Sequence, residues 1–318
     1  MRAELRSILG MAALLVGSQL VALAVSGPFA SAGMVAFQNP GDISNTAIYI
    51  VAILIFTALI LGLVKYRHRD IARYVILASV FITIAFVLLL PILYLVSAFT
   101  SDEIVGGILV NSLPFALAAV VTWVLVKYPE WYVVDTVGLA TAAGVTAILG
   151  ISFSVLPALL LLIALAGYDA WAVYRTKHMV ALADELTSQK LPVLLVVPKH
   201  ADYKFSEQKS LKQQIASGED REAMFIGLGD LIIPGVMAVS ARAFLRDDIG
   251  LTVAGIAPSL LVAIATILGT LLGFAILMRF VLRGNPQAGL PLLNGGAIAG
   301  FFLGLVLVYG TLVPPTVG

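Results

Sequence analysis

Two aspartates stand in apolar sequence, where an ionisable group is costly and tends to mark function. Asp169 closes the run Leu161-Leu162-Ile163-Ala164-Leu165-Ala166-Gly167-Tyr168-Asp169, shortly before Arg175. Asp230 lies in Ile226-Gly227-Leu228-Gly229-Asp230-Leu231-Ile232-Ile233-Pro234-Gly235, shortly after Glu222. At a helical rise of about 1.5 Å per residue, both fall roughly 9 to 12 Å inside the same membrane boundary on antiparallel segments. Two carboxyl groups sharing such a site do not both ionise easily, so the pair would hold one proton. The ionised member can then take a proton from a water while its partner polarises a peptide carbonyl, which is acid and base catalysis of amide hydrolysis.

The residues alone leave other readings open. A pair of aspartates can also join helices as a polar contact, or hold a proton or cation in a carrier. A third acid, Asp135, lies close to Lys127, Glu130 and Trp131 and is read as solvated or helix-capping. Glycines at 227 and 229 remove side chains beside Asp230, allowing another backbone to approach and water to enter. Near the C-terminus, Gly284-Asn285-Pro286-Gln287-Ala288-Gly289-Leu290-Pro291-Leu292-Leu293-Asn294-Gly295-Gly296 interrupts the apolar pattern. Proline and glycine there loosen a helix and free backbone groups, so Pro291 is expected to offer backbone to an extended peptide or to kink a packing helix.

Other hydrolytic chemistries find little support. The three histidines, His68, His178 and His200, fall in polar segments, no HExxH occurs, and the chain has no cysteine. No metal or cofactor is expected, and a net charge of +1 gives no reason to expect nucleic acid as a partner.

The elements that must position these residues are membrane helices. The chain is 60% hydrophobic and 12% charged over 318 residues, far from soluble usage. Its mean hydropathy is +1.04. Apolar runs long enough for a bilayer core of roughly 30 Å span 7–26, 45–64, 74–99, 104–126, 132–151, 153–174, 223–244, 249–278 and 287–310. The expected fold is all-α, a polytopic bundle of about nine helices. A polar loop, 175–222, divides it six plus three into an N-terminal part, 1–174, and a C-terminal part, 223–318. The fifth and sixth spans are separated only by a turn expected in Gly150 to Pro157, so eight helices is the alternative count. The first span, preceded by Arg2 and Arg6 and followed by Ala30-Ser31-Ala32, also fits a cleaved signal peptide.

Basic residues favour the cytoplasmic side of short loops. With the N-terminus and the 175–222 loop cytoplasmic, only Arg242 and Arg246 of the 19 Lys and Arg fall outside, and the C-terminus is outside too. Within the loop, the proline-bracketed run Leu191 to Pro198 reads as an extended strand.

Tyr168-Asp169, Gly227-Leu228-Gly229-Asp230 and Pro291-Leu292-Leu293, in this order and on these spans, resemble the presenilin and signal peptide peptidase family of GxGD intramembrane aspartyl proteases, most closely an archaeal presenilin homologue. The resemblance implies Asp169 and Asp230 as the catalytic pair, with Tyr168, Gly227, Leu228, Gly229, Pro291, Leu292 and Leu293 shaping the site or holding substrate. Leu292 departs from the family's Pro-Ala-Leu, and Leu231-Ile232-Ile233-Pro234-Gly235 is closer to signal peptide peptidases, although the orientation matches presenilins. It further implies transmembrane peptide substrates with their N-terminus outside, and strand-like addition of substrate near Leu191 to Pro198. Homo-oligomers are compatible with the reading, and accessory subunits are left open. A prepilin or preflagellin peptidase also uses GxGD but commonly has Lys just after the Asp, where this chain has Leu231. A proton-coupled carrier or cation channel is the alternative from a different class.

Overall fold

The computed structural model describes residues 2–66, 69–176, 194–200, 203, 205, 222–282 and 287–316. Nine helices form among them: α1 (Arg2–Ser31), α2 (Ser44–Lys65), α3 (Arg69–Phe99), α4 (Glu103–Lys127), α5 (Trp131–Ser152), α6 (Val155–Trp171), α7 (Leu228–Phe244), α8 (Pro258–Val281) and α9 (Leu290–Tyr309). Eight are long and apolar enough to cross a membrane. The exception, α7, has 17 residues, or about 25 Å of helix against a bilayer core of roughly 30 Å, whereas α6 continues through a π-helical turn to make a 21-residue span, Val155–Arg175. It is short because 223–227, expected as its first turns, is instead strand β2 (Ala223–Gly227). That strand pairs antiparallel with β1 (Leu194–Pro198) from Leu194 opposite Gly227 to Pro198 opposite Ala223. The expected strand is thus present over 194–198, while 191–193, most of the 175–222 loop, His68, His178 and 284–286 lie outside the described residues.

The chain divides into two compact units. The first takes in 1–7, 56–141 and 182–227. Here the Asp102 carboxylate starts α4 by accepting the Ile104 and Val105 N–H groups at 2.9 and 3.0 Å. Its core joins Ile84 and Ala85 of α3, Ala118 and Leu125 of α4 and Val134 of α5 to Val196 and Ala223 of the sheet. The expectation for Asp135 fails in this unit. It is 8% exposed, and its Oδ1 accepts the Val196 N–H at 2.7 Å. It is neither solvated nor a cap, because the strand of a distant segment supplies its donor.

The second unit holds 8–55, 142–181 and 228–318, and with them α6 to α9. The turn between α5 and α6 falls at Phe153 and Ser154, inside the expected interval. Phe153 is fully buried, edge-on to Phe37 and Tyr49, and its carbonyl accepts the Ser240 hydroxyl of α7 at 2.8 Å. The break that launches α6 is therefore tied to the helix carrying Asp230. Between α8 and α9 the backbones nearly touch: a Cβ on Gly269 would collide with the Gly296 carbonyl, and one on Gly300 with the Ala265 carbonyl. The span expected from 249 starts as helix only at Pro258. Gly250 at φ +100°, and the consecutive Ala254 and Gly255 at +51° and +78°, are positive-φ residues that a right-handed helix does not accommodate.

Candidate active site

On α6 the buried positions Val155, Ala158, Leu161, Leu162 and Leu165 recur at helical spacing, and Asp169 continues the same stripe. The residue, 7% exposed, is therefore carried to the inside of the unit by the face that packs the helix. Tyr168, one position round, lies outside that stripe, with its ring centroid 6.4 Å from that of Trp171. Asp230 sits in the first turn of α7, immediately after the strand that ends at Gly227.

The start of α9 meets both acids. Leu290 donates its backbone N–H to Asp169 Oδ2 at 3.0 Å. That N–H is one of the donors a helix's first turn leaves without an internal acceptor, so the carboxylate serves as a cap from another helix. The preceding residue, Gly289, faces the other acid: a Cβ built there would lie 3.1 and 3.2 Å from the two carboxylate oxygens of Asp230. Consecutive Cα atoms are about 3.8 Å apart, so the two carboxyl groups flank a single short step of backbone.

One expectation is corrected here. Pro291 does not break a helix. It occupies the first turn of α9, where its missing N–H costs nothing, and the Leu292 and Leu293 N–H groups donate to the Gly289 carbonyl at 3.2 and 3.1 Å. Its neighbours are not free backbone either, since the Leu292 carbonyl is packed where a Cβ of Gly273 on α8 would stand. At Gly229 a Cβ would meet nothing within 4 Å among the described residues, and the close contact with Asp230 is at Gly289. Leu228 and Gly227 are partly buried, and Leu293 is fully buried in the packed face of α9.

Gly289, Leu290 and Asn294 join the site without being expected there individually. Asn294 is fully buried and donates its amide to the Leu162 carbonyl at 2.9 Å, joining α9 to the helix of Asp169. A polar amide in an apolar span was the available signal. Tyr174, in the π-helical turn after α6, donates its hydroxyl to Gln287 Oε1 at 2.9 Å, beside the start of α9.

The comparisons agree with this helical plan. The family described as signal-peptide peptidase, presenilin aspartyl protease matches residues 12–310. A presenilin family intramembrane aspartate protease solved in space group C222 superposes with a TM-score of 0.64 at 34% identity, over 94% of this chain and 99% of that one. A P2 structure of a presenilin family intramembrane aspartate protease gives 0.62 at 34% identity, over 94% and 97%. A comparison with curated proteins returns no match. With a family match over nearly its whole length and structural neighbours of the same kind, this multi-pass membrane chain belongs to the signal-peptide peptidase and presenilin family of intramembrane aspartate proteases.

Proposed function

We propose that Asp169 and Asp230 are the catalytic pair of this hydrolase, acting on a water held between them with no covalent intermediate. The observation that carries the reading is the start of α9, where the Leu290 N–H bonds Asp169 and the adjacent Gly289 lies against Asp230. One carboxyl holds the shared proton and polarises the scissile carbonyl while the other takes a proton from the water; a tetrahedral diol collapses to the two products. Gly227, Leu228 and Gly229 form the approach to Asp230, with space for water at Gly229, where a Cβ would meet none of the described residues within 4 Å. Tyr168 sits beside Asp169, and Pro291, Leu292 and Leu293 start the helix that spaces the pair.

The substrate in this proposal is a transmembrane peptide, cleaved near its cytoplasmic end after local unwinding. It lies with its N-terminus outside, as the family implies for a chain oriented as the Lys and Arg distribution supports, and adds as a strand to the β1–β2 sheet. The purified chain, offered such a peptide, is expected to lose cleavage with Asp169→Ala and with Asp230→Ala. Full cleavage by either variant ends the assignment. Reporter fusions at Ser188 and at the C-terminus test orientation, and an exoplasmic Ser188 would reverse it.

A further inference from the structure

Asp135 is a buried acid in an apolar helix that the proposed chemistry leaves unused. Its surroundings include Val134, Val196 and other apolar side chains of the first unit's core, so packing alone gives no reason for a carboxyl group. Its partner is specific: the Val196 N–H, at 2.7 Å.

The sheet's bonding pattern identifies the edge involved. Lys199 donates its N–H to the Glu222 carbonyl at 2.9 Å, so by alternation Val197 with Met224 and Leu195 with Ile226 are the hydrogen-bonded pairs. Leu194, Val196 and Pro198 therefore turn their backbone groups away from β2. On that outer edge Asp135 takes the Val196 N–H, and the buried Ser7 hydroxyl donates to the Pro198 carbonyl at 3.1 Å. The opposite edge of the sheet belongs to Ala223, Phe225 and Gly227, and β2 runs on in sequence into Gly229 and Asp230.

We propose that Asp135 is a positioning residue that closes the outer edge of β1, with Ser7, and so confines an added substrate strand to the β2 edge. An unprotected edge accepts any extended peptide, and covering it with a helix whose side chain takes its outward N–H is one way of blunting it. Strands in a sheet lie about 4.8 Å apart, so a peptide on the β1 edge would lie two spacings from β2 instead of one, out of line with the segment that leads to Asp230. The inference rests on the strand-addition reading above.

The test uses the full chain and a transmembrane peptide, with KM, kcat and the masses of the products measured. Asp135→Ala is expected to raise KM roughly tenfold with little change in kcat, and to spread cleavage over additional bonds. Asp135→Asn keeps an acceptor oxygen and is expected to restore the parent values. Val196→Pro approaches the same bond from the other side: it removes an outward N–H but no ladder bond, and should reproduce Asp135→Ala. The double variant should be no worse than either single one. Unchanged KM and product pattern in both single variants, failure of the Asn rescue, or multiplying effects in the double variant would each overturn the proposal. A peptide N-methylated along the pairing segment separates the two readings, since undiminished cleavage of it removes strand addition itself.

Discussion

The Leu290 N–H donates to Asp169 Oδ2 at 3.0 Å, while its neighbour Gly289 lies against both oxygens of Asp230. The first turn of α9 is thus the spacer between two acids that come from different helices. Its role can be tested without touching either acid.

Gly289 has φ −77° and ψ −49°, which any residue adopts, so alanine there brings no backbone strain. Its Cβ, however, would stand 3.1 Å from Asp230 Oδ1. Gly289→Ala is expected to lower kcat on a transmembrane peptide at least tenfold, about 1.4 kcal/mol at the transition state, with a thermal unfolding midpoint close to the parent's. A parent-like kcat would show that the spacing of the acids tolerates a methyl group.

Backbone contact between α8 and α9 predicts a contrast among glycines. Gly269→Ala and Gly296→Ala each push a Cβ into the facing backbone and should destabilise by about 1 to 3 kcal/mol, because two helix axes must separate. At Gly295, also within α9, a Cβ meets nothing within 4 Å among the described residues, and alanine should be neutral or stabilise by up to about 1 kcal/mol. Thermal unfolding in one detergent ranks the three.

The sheet register predicts a cross-link. Val196 and Phe225 form a non-hydrogen-bonded pair, for which the Cα separation is about 4.5 Å, inside the range a disulfide bridges. In this cysteine-free chain, Val196→Cys with Phe225→Cys should oxidise to an internal disulfide, seen as a mass loss and a block to alkylation. Val197→Cys with Phe225→Cys puts the thiols on opposite faces and should remain reduced.

An acid-sensitive tie joins α7 to α8. Asp247 accepts the Ser259 N–H at 2.9 Å and an Arg242 Nη1–H at 2.8 Å. Partial burial pushes its carboxyl upward, but the bonds from Ser259 and Arg242 outweigh it and hold the group below the usual carboxylate range. A lowered folded value means the stabilisation is complete above the unfolded value of about 3.9 and is lost as pH falls through the folded one. The unfolding midpoint should therefore drop below about pH 4, and Asp247→Asn should start lower at neutral pH and lose less on acidification. An equal acid slope in parent and variant would remove Asp247 from the account.

Much of the helical plan was legible because its cause is local. A stretch of some 20 apolar residues reads the same whatever surrounds it, and the observed ends of α2, α4 and α5 lie within a residue of the expected spans. Asp169 and Asp230 stood out for the same reason, being charges in apolar runs. Local pattern is ambiguous elsewhere: Ala223 to Gly227 is apolar enough for either helix or strand, and β1, from a remote segment, decides for strand.

Composition and periodicity by themselves determined that this chain is a multi-helix membrane protein, and motif order pointed to aspartyl proteolysis. Tertiary structure alone decided that Gly289 and Leu290, rather than Pro291, meet the two acids, and that Asp135 holds a strand. Hydropathy records the cost of removing one residue from water. The partner of a buried carboxyl group depends on which remote backbone N–H the fold delivers to it, and no local pattern carries that pairing.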